Sequence, residues 1–208
     1  RHTVLGFGEA GGILAPGLKA LERAARAFTA DVWVVAPETE QSAASHSLTL
    51  HRPLALRRMS ARRWAVNGTP TDCVHLALNG LLSGSKPELV VAGINMGANL
   101  GSDITYSGTV AAAFEGTLSG LPSIAVSLVS RGPFEFGPAA AFSARLVGEV
   151  VRRGLPNDTL LNVNVPDLPG ERIRGVRVTR QGKSFYGEAI VEKVDPRGRK
   201  YFWIGGGD

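Results

Sequence analysis

Asn95, Asn99, Ser107, Gly108 and Thr109 fall within fifteen consecutive residues, and together they could hold a phosphate group. The two carboxamides offer neutral oxygens and N–H donors, while Ser107-Gly108-Thr109 sets hydroxyls and backbone N–H groups at a helix start, where anions are favoured. Gly93, Gly97, Gly101, Gly108 and Asp103 complete the run, which is more than a connection between a strand and a helix needs. The plainer reading is a loop whose glycines only turn the chain and whose Thr109 merely caps the helix. Two elements must position this loop. Leu89-Val90-Val91-Ala92, bounded by Pro87 and Gly93, suits a strand buried on both faces of a parallel sheet. Val110 to Ser119 reads as the helix. In open α/β sheets ligands bind beyond the carboxyl ends of strands, so the loop lies where a phosphate and a hard cation would sit.

The chain has 208 residues, enough for one large domain with a sizeable core. Hydrophobic residues make up 44% and charged residues 20%, as in ordinary soluble globular proteins. No apolar run approaches the roughly 20 residues of a membrane span, and the expectation from the strand-like Thr3-Val4-Leu5 is a chain without a cleavable signal. The expectation is a cytoplasmic protein without membrane association. Cys73 is the sole cysteine, which excludes an internal disulfide, and its apolar helical setting points to a buried structural thiol. The formal net charge is +5, with arginine clusters at residues 52–63 and 172–180. No aromatic residues interleave with those clusters as a base-stacking platform requires, so nucleic acid is not the expected partner.

Gly6, Gly8 and Gly11 spell G-x-G-x-x-G after the first strand, the dinucleotide fingerprint. In that motif the helix opens within the fingerprint itself. Pro16 would fall inside such a helix, at a cost of roughly 3 kcal/mol, whereas it suits the first position of a helix carrying Leu18, Leu21, Ala25 and Phe28. An NAD-binding reading is therefore the weakest of those considered. A second strand, Val32 to Ala36, runs into a polar segment in which Ser42, Ser45, His46 and Ser47 could face the same crevice as Asn95. Leu48 to Leu56 reads as an edge strand or excursion broken by Pro53. Thr69, Pro70 and Asp72 form a coherent helix start. Strand and helix then alternate: Ser123 to Leu128 a strand, Ala139 to Arg153 a helix, Leu160 to Val165 a strand. This order argues for a parallel sheet with helices on both faces. Val176 to Thr179, Ala189 to Val194 and Lys200 to Ile204 read as extended, with Asp195-Pro196-Arg197-Gly198 as the turn of a hairpin. The C-terminal glycines look like a chain ending in mid-loop.

Ordered along the chain are Ala15-Pro16-Gly17-Leu18, Val35-Ala36-Pro37 with Gln41-Ser42, Ser47-Leu48-Thr49, Gly68-Thr69-Pro70-Thr71-Asp72-Cys73, Gly93-Ile94-Asn95 with Gly97-Ala98-Asn99-Leu100-Gly101, Tyr106-Ser107-Gly108-Thr109, Asn162-Val163-Asn164-Val165-Pro166 and Trp203-Ile204-Gly205-Gly206. In these pieces the chain resembles the SurE family of survival-protein nucleotidases over nearly its whole length. The resemblance implies an α/β fold: a Rossmann-like three-layer αβα sandwich with a mainly parallel sheet and a C-terminal β-hairpin extension. It implies residues 1–170 as the nucleotidase core and residues 171–208 as a hairpin extension of the same domain, exchanged between subunits of a homodimer or homotetramer. It also implies a phosphatase dependent on a divalent metal, Mg²⁺ or Mn²⁺, acting on nucleoside 5′- and 3′-monophosphates or other phosphomonoesters.

In that family two adjacent aspartates, a serine and an asparagine hold the ion, and Ser42 and Asn95 match the latter two. Asn95, Asn99 and Ser107 are the implied catalytic residues, with Asn99, Ser107, Gly108 and Thr109 on the phosphate. The family's Asn-Asp-Asp-Gly lines up with Glu9-Ala10-Gly11-Gly12, so Ala10 and Gly11 stand where the carboxylates belong. Carboxylates provide most of the attraction for a hard cation. Three accounts remain open: an inactive site on an intact scaffold, a homologue that binds nucleotides or phosphate without hydrolysis, and a site rescued by Glu9.

Overall fold

The structure is a computed structural model and describes residues 4–7, 12–183 and 190–204. Its main sheet orders its strands β3-β4-β2-β1-β5-β6-β7. These are β1 (Val4–Phe7), β2 (Val32–Pro37), β3 (Leu56–Ser60), β4 (Arg63–Val66), β5 (Leu89–Met96), β6 (Ser123–Val129) and β7 (Leu160–Pro166). Every pairing is parallel except β3 with β4. Helices α1 (Pro16–Phe28) and α4 (Phe136–Arg153) pack together on one face, and α2 (Pro70–Leu76) and α3 (Gly108–Leu118) on the other. The expected three-layer αβα sandwich is what forms.

The apolar run of β5 shows why. Successive strand residues point to opposite faces. Leu89 and Val91 join Leu18, Leu21, Val34 and Ile124 beneath α1 and α4, whereas Val90 and Ala92 join Val35, Val66, Val74 and Leu78 beneath α2. A strand covered on both sides has no polar face to show. Helix α1 begins at Pro16 as expected, and Gly17 lets it lie directly on β5: a Cβ there would sit 1.9 Å from the Ile94 carbonyl oxygen and 3.1 Å from the Phe136 ring. Helix α2 starts with a capping box, in which Thr69 Oγ1 accepts from Asp72 N (3.1 Å) and Asp72 Oδ2 accepts from Thr69 N (2.8 Å).

Three expectations are refined. Of the two readings of Leu48 to Leu56, the excursion is the one that forms up to Ala55 and the edge strand β3 starts at Leu56, because the stretch before it directs its polar groups to side chains: Thr49 N and Oγ1 donate to Asp72, and Ala55 N donates to Asn67 Oδ1. Helix α3 starts at Gly108 with Ser107 as its cap, so Thr109 lies inside the first turn. Residues Val176 to Thr179 form no strand. The hairpin of β8 (Ile190–Val194) and β9 (Lys200–Ile204) is present, closed by the predicted turn, with Asp195 N donating to Arg199 O (2.9 Å) and Gly198 N to Asp195 O (2.9 Å). Its Phe202, Trp203 and Ile204 are exposed. No helix among the described residues is long and apolar enough to cross a membrane.

Candidate functional site

Strand β1 lies between β2 and β5. From β1 the chain builds outward through β2 and β4 on one side, then returns to build β5, β6 and β7 on the other. The crevice at the carboxyl ends of β1 and β5 is therefore the topological switch point, where open α/β sheets bind ligands. Asn95 stands at this end of β5. Its Nδ2 donates to Gly97 O (3.0 Å), which turns its Oδ1 to accept from Thr109 Oγ1 (3.3 Å). The end of β5 and the start of α3 are thus joined through two of the residues picked out by sequence.

Thr109 is almost fully buried, and Ser107 Oγ caps α3 by accepting from Val110 N (3.2 Å). The earliest N–H groups of a helix have no intrahelical acceptor, and they carry the positive end of its dipole. Those of Gly108 and Thr109 occupy that position. Gly108 packs against the start of α2, where a Cβ would meet Pro70 Cγ at 2.9 Å. Asn99 is buried, with Nδ2 donating to Ser127 Oγ (2.7 Å) and its backbone held by Asn162 and Asn164 across the sheet.

The segment after β2 docks beside this loop. Ser45 N donates to Tyr106 O (3.1 Å) and Ser45 Oγ to Thr105 O (2.8 Å). The exposed Ser42 donates its hydroxyl to Glu40 Oε1 (2.7 Å), which puts a carboxylate next to a candidate ligand. Ser47 Oγ donates to Ala44 O. His46 pairs with Glu115 Oε2 (3.0 Å) on α3, and His75 of α2 meets the other oxygen of the same carboxylate (3.0 Å). Glu40, Glu115, His75, Asn162 and Asn164 carried no functional weight in the sequence. The two asparagines had a signal nonetheless, since Asn at every second position breaks an otherwise apolar strand, β7, at the edge of the sheet beside β6.

Gly8, Glu9, Ala10 and Gly11 lie outside the described residues, as does the NAD reading that rests on Gly8 and Gly11. Gly6 lies in β1, and α1 opens ten residues after it. Among the described residues no group of three or more His, Cys, Asp or Glu is arranged to hold a metal ion. Ser42 Oγ and Asn95 Oδ1 are neutral oxygens, and two such donors do not fit a hard dication. Cys73 is buried, and that burial, reinforced by the neighbouring Asp72 charge, pushes its thiol well above the ordinary value. It is a core residue, not a nucleophile.

Fold and crevice define a doubly wound α/β protein with a polar loop at its switch point. The survival protein SurE family model matches residues 10–188. The chain belongs to the SurE family. It is 58% identical to the 5′-nucleotidase SurE of Geotalea uraniireducens, over 93% of this chain and 78% of that protein. Identity to the 5′-nucleotidase SurE of Paramagnetospirillum magneticum is 54%, over 93% of this chain and 75% of that one. Its fold matches the crystal structure of the SurE protein from Aquifex aeolicus with a TM-score of 0.86 at 44% identity, covering 97% of this chain and 81% of that one.

Proposed function

We propose that the chain is a phosphomonoester hydrolase of the 5′-nucleotidase type, acting on nucleoside monophosphates at the crevice between β1 and β5. The observation that carries this reading is the Thr109–Asn95 hydrogen bond, which ties the strand end to an anion-favouring helix start. In this reading Asn99, the Ser107 hydroxyl and the N–H groups of Gly108 and Thr109 take the phosphate oxygens. Ser107 Oγ accepts from Val110 N and keeps its own proton to donate. Water attacks phosphorus in line, one P–O bond forms as the other breaks, and the nucleoside leaves as its alcohol. Donors already fixed before the reaction stabilise the charge spread over the equatorial oxygens without reorganising.

A divalent ion, Mg²⁺ or Mn²⁺, belongs at Ser42 and Asn95 by family resemblance. Among the described residues these two neutral donors alone do not fit it, so no step is assigned to the ion, and this mismatch gives the second reading its weight: a homologue that binds nucleotide without turning it over. The core of residues 1–170 and a hairpin extension serving oligomerisation form part of the same proposal, supported by the exposed aromatic side chains of β9.

The test is phosphate release from AMP with Mn²⁺, with Mg²⁺ and with a chelator, beside the double variant Ala10→Asp/Gly11→Asp. Metal-dependent turnover by either chain supports the hydrolase, and turnover by the variant alone places the defect at the missing carboxylates. AMP binding without turnover in both supports the second reading. Neither binding nor turnover in both overturns the assignment.

A further inference from the structure

Asn99 is held from three side chains on two strands. Its N–H donates to Asn164 Oδ1 (2.8 Å), its carbonyl oxygen accepts from Asn164 Nδ2 (3.0 Å) and from Asn162 Nδ2 (3.0 Å), and its own Nδ2 donates to Ser127 Oγ (2.7 Å). Asn164 thus closes a ring of two hydrogen bonds on the N–H and C=O of one residue, as an antiparallel strand partner would. Ser127 and Asn164 are direct partners in the β6–β7 register, and Ala125 and Asn162 are the pair two residues earlier. All four side chains therefore share one face of the sheet, the face on which Ala125 packs with Val110 and Ala113 of α3. The opposite face of β7 carries Leu161, Val163 and Val165 into the core beneath α1 and α4.

Two observations separate this network from ordinary loop anchoring. Asn162 Oδ1 is buried with no partner among the described residues, although an unsatisfied buried acceptor is costly. An apolar side chain would avoid that cost but could not donate to the Asn99 carbonyl as Nδ2 does. The bonds also span 63 and 65 residues of chain and reach from the loop after β5, over β6, to β7. A loop needing only attachment could use its own flanks.

We propose that Asn164 and Asn162 are positioning residues: their amides clamp the Asn99 backbone and so set the direction in which the Asn99 side chain meets the phosphate. This rests on the reading of Asn99 as a phosphate-binding residue. Asn164 supplies both bonds of the ring and Asn162 only one, so the effects are graded. Asn164→Ala should raise KM for AMP and the inhibition constant of inorganic phosphate together, by about tenfold, and Asn162→Ala by about threefold.

The experiment has two arms, run on whichever of the parent chain and the Ala10→Asp/Gly11→Asp chain turns over. In the first, hydrogen exchange at the Asn99 amide is compared in parent and Asn164→Ala proteins. Faster exchange there, with β6 and β7 still protected, supports the clamp, and unchanged exchange overturns it. The second is a double-mutant cycle with Asn99→Ala. Once Asn99 is gone, Asn164→Ala should raise KM and the phosphate constant no further, whereas independent, multiplying effects would overturn the positioning role. A lower melting temperature with an unchanged phosphate constant would also overturn it, because that is what a purely structural role predicts. Asn162→Ala, which leaves the two-bond ring intact, provides the same reading if Asn164→Ala fails to fold. Phosphate bound by the parent but equally well by Asn99→Ala would instead count against the assignment of Asn99 itself, leaving exchange to judge the clamp.

Discussion

Thr109 Oγ1 lies 3.3 Å from Asn95 Oδ1, so a hydroxyl inside the first turn of α3 reports directly on the last residues of β5. Thr109→Val keeps the shape and buries a methyl where the hydroxyl was. It should leave Asn95 Oδ1 without this donor, cost about 1 kcal/mol of stability, and lower kcat/KM for AMP about tenfold, equivalent to about 1.4 kcal/mol. Steady-state kinetics with a thermal melt separates the two effects, and unchanged kinetics would break the link between α3 and the site.

Gly17 fixes the approach of α1 to the residue before Asn95. A methyl there meets the Ile94 carbonyl at 1.9 Å, and backbone cannot rotate out of the way as a side chain can. Gly17→Ala should cost about 3 kcal/mol, which lowers the melting temperature by roughly 6–12 °C for a domain of this size. A variant melting with the parent would show that α1 can slide on the sheet.

Glu115 gathers His46 from the segment after β2 and His75 from α2 onto one buried carboxylate. Glu115→Leu should strand both rings and cost about 2 kcal/mol. Its local signature is faster proteolysis within residues 41–47, because His46 holds that segment to α3. Intact proteolytic resistance would mean that Ser45 and the Thr69–Ser47 hydrogen bond hold the segment without His46.

The buried Cys73 thiol titrates well above its ordinary range, with burial the larger cause and Asp72 the second. The unfolded thiol ionises near about pH 8.5. The folded value is raised, so this contribution to stability is complete below that pH and is lost as pH climbs toward the folded pKa, by up to about 1.4 kcal/mol per unit. Urea melts between pH 7 and 10 should fall less steeply for Cys73→Ala than for the parent. Iodoacetamide should leave the native thiol unmodified at pH 8 and react on unfolding.

Local chemistry made much of the fold legible. The β5 run needed only the rule that both faces of an inner strand are buried, and Thr69, Pro70 and Asp72 announced α2 because a capping box lies within four residues. Pro16 placed the start of α1 because its fixed φ and missing N–H suit the first helical position. What stayed hidden depends on distant partners. The edge strand moved to Leu56 because Asp72 and Asn67 claim the donors of the stretch before it. Glu115 meets histidines 69 and 40 residues away, the first brought by the segment after β2 docking beside α3 and the second by the packing of α2 on α3. Asn162 and Asn164 appeared only as part of a family motif, since nothing nearby in sequence tells an amide in a strand which loop it will hold.

The β8–β9 hairpin has a thermodynamic consequence of its own. A two-stranded ribbon is marginal in water, and this one leaves Phe202, Trp203 and Ile204 at 58%, 62% and 87% exposure. If a second copy covers those side chains, mass action enters its stability: each tenfold dilution favours the separated state, and the melting temperature falls with protein concentration. The sheet that holds Asn95 and Asn99 draws its core from within the chain, so dilution should loosen the ribbon before it reaches the crevice.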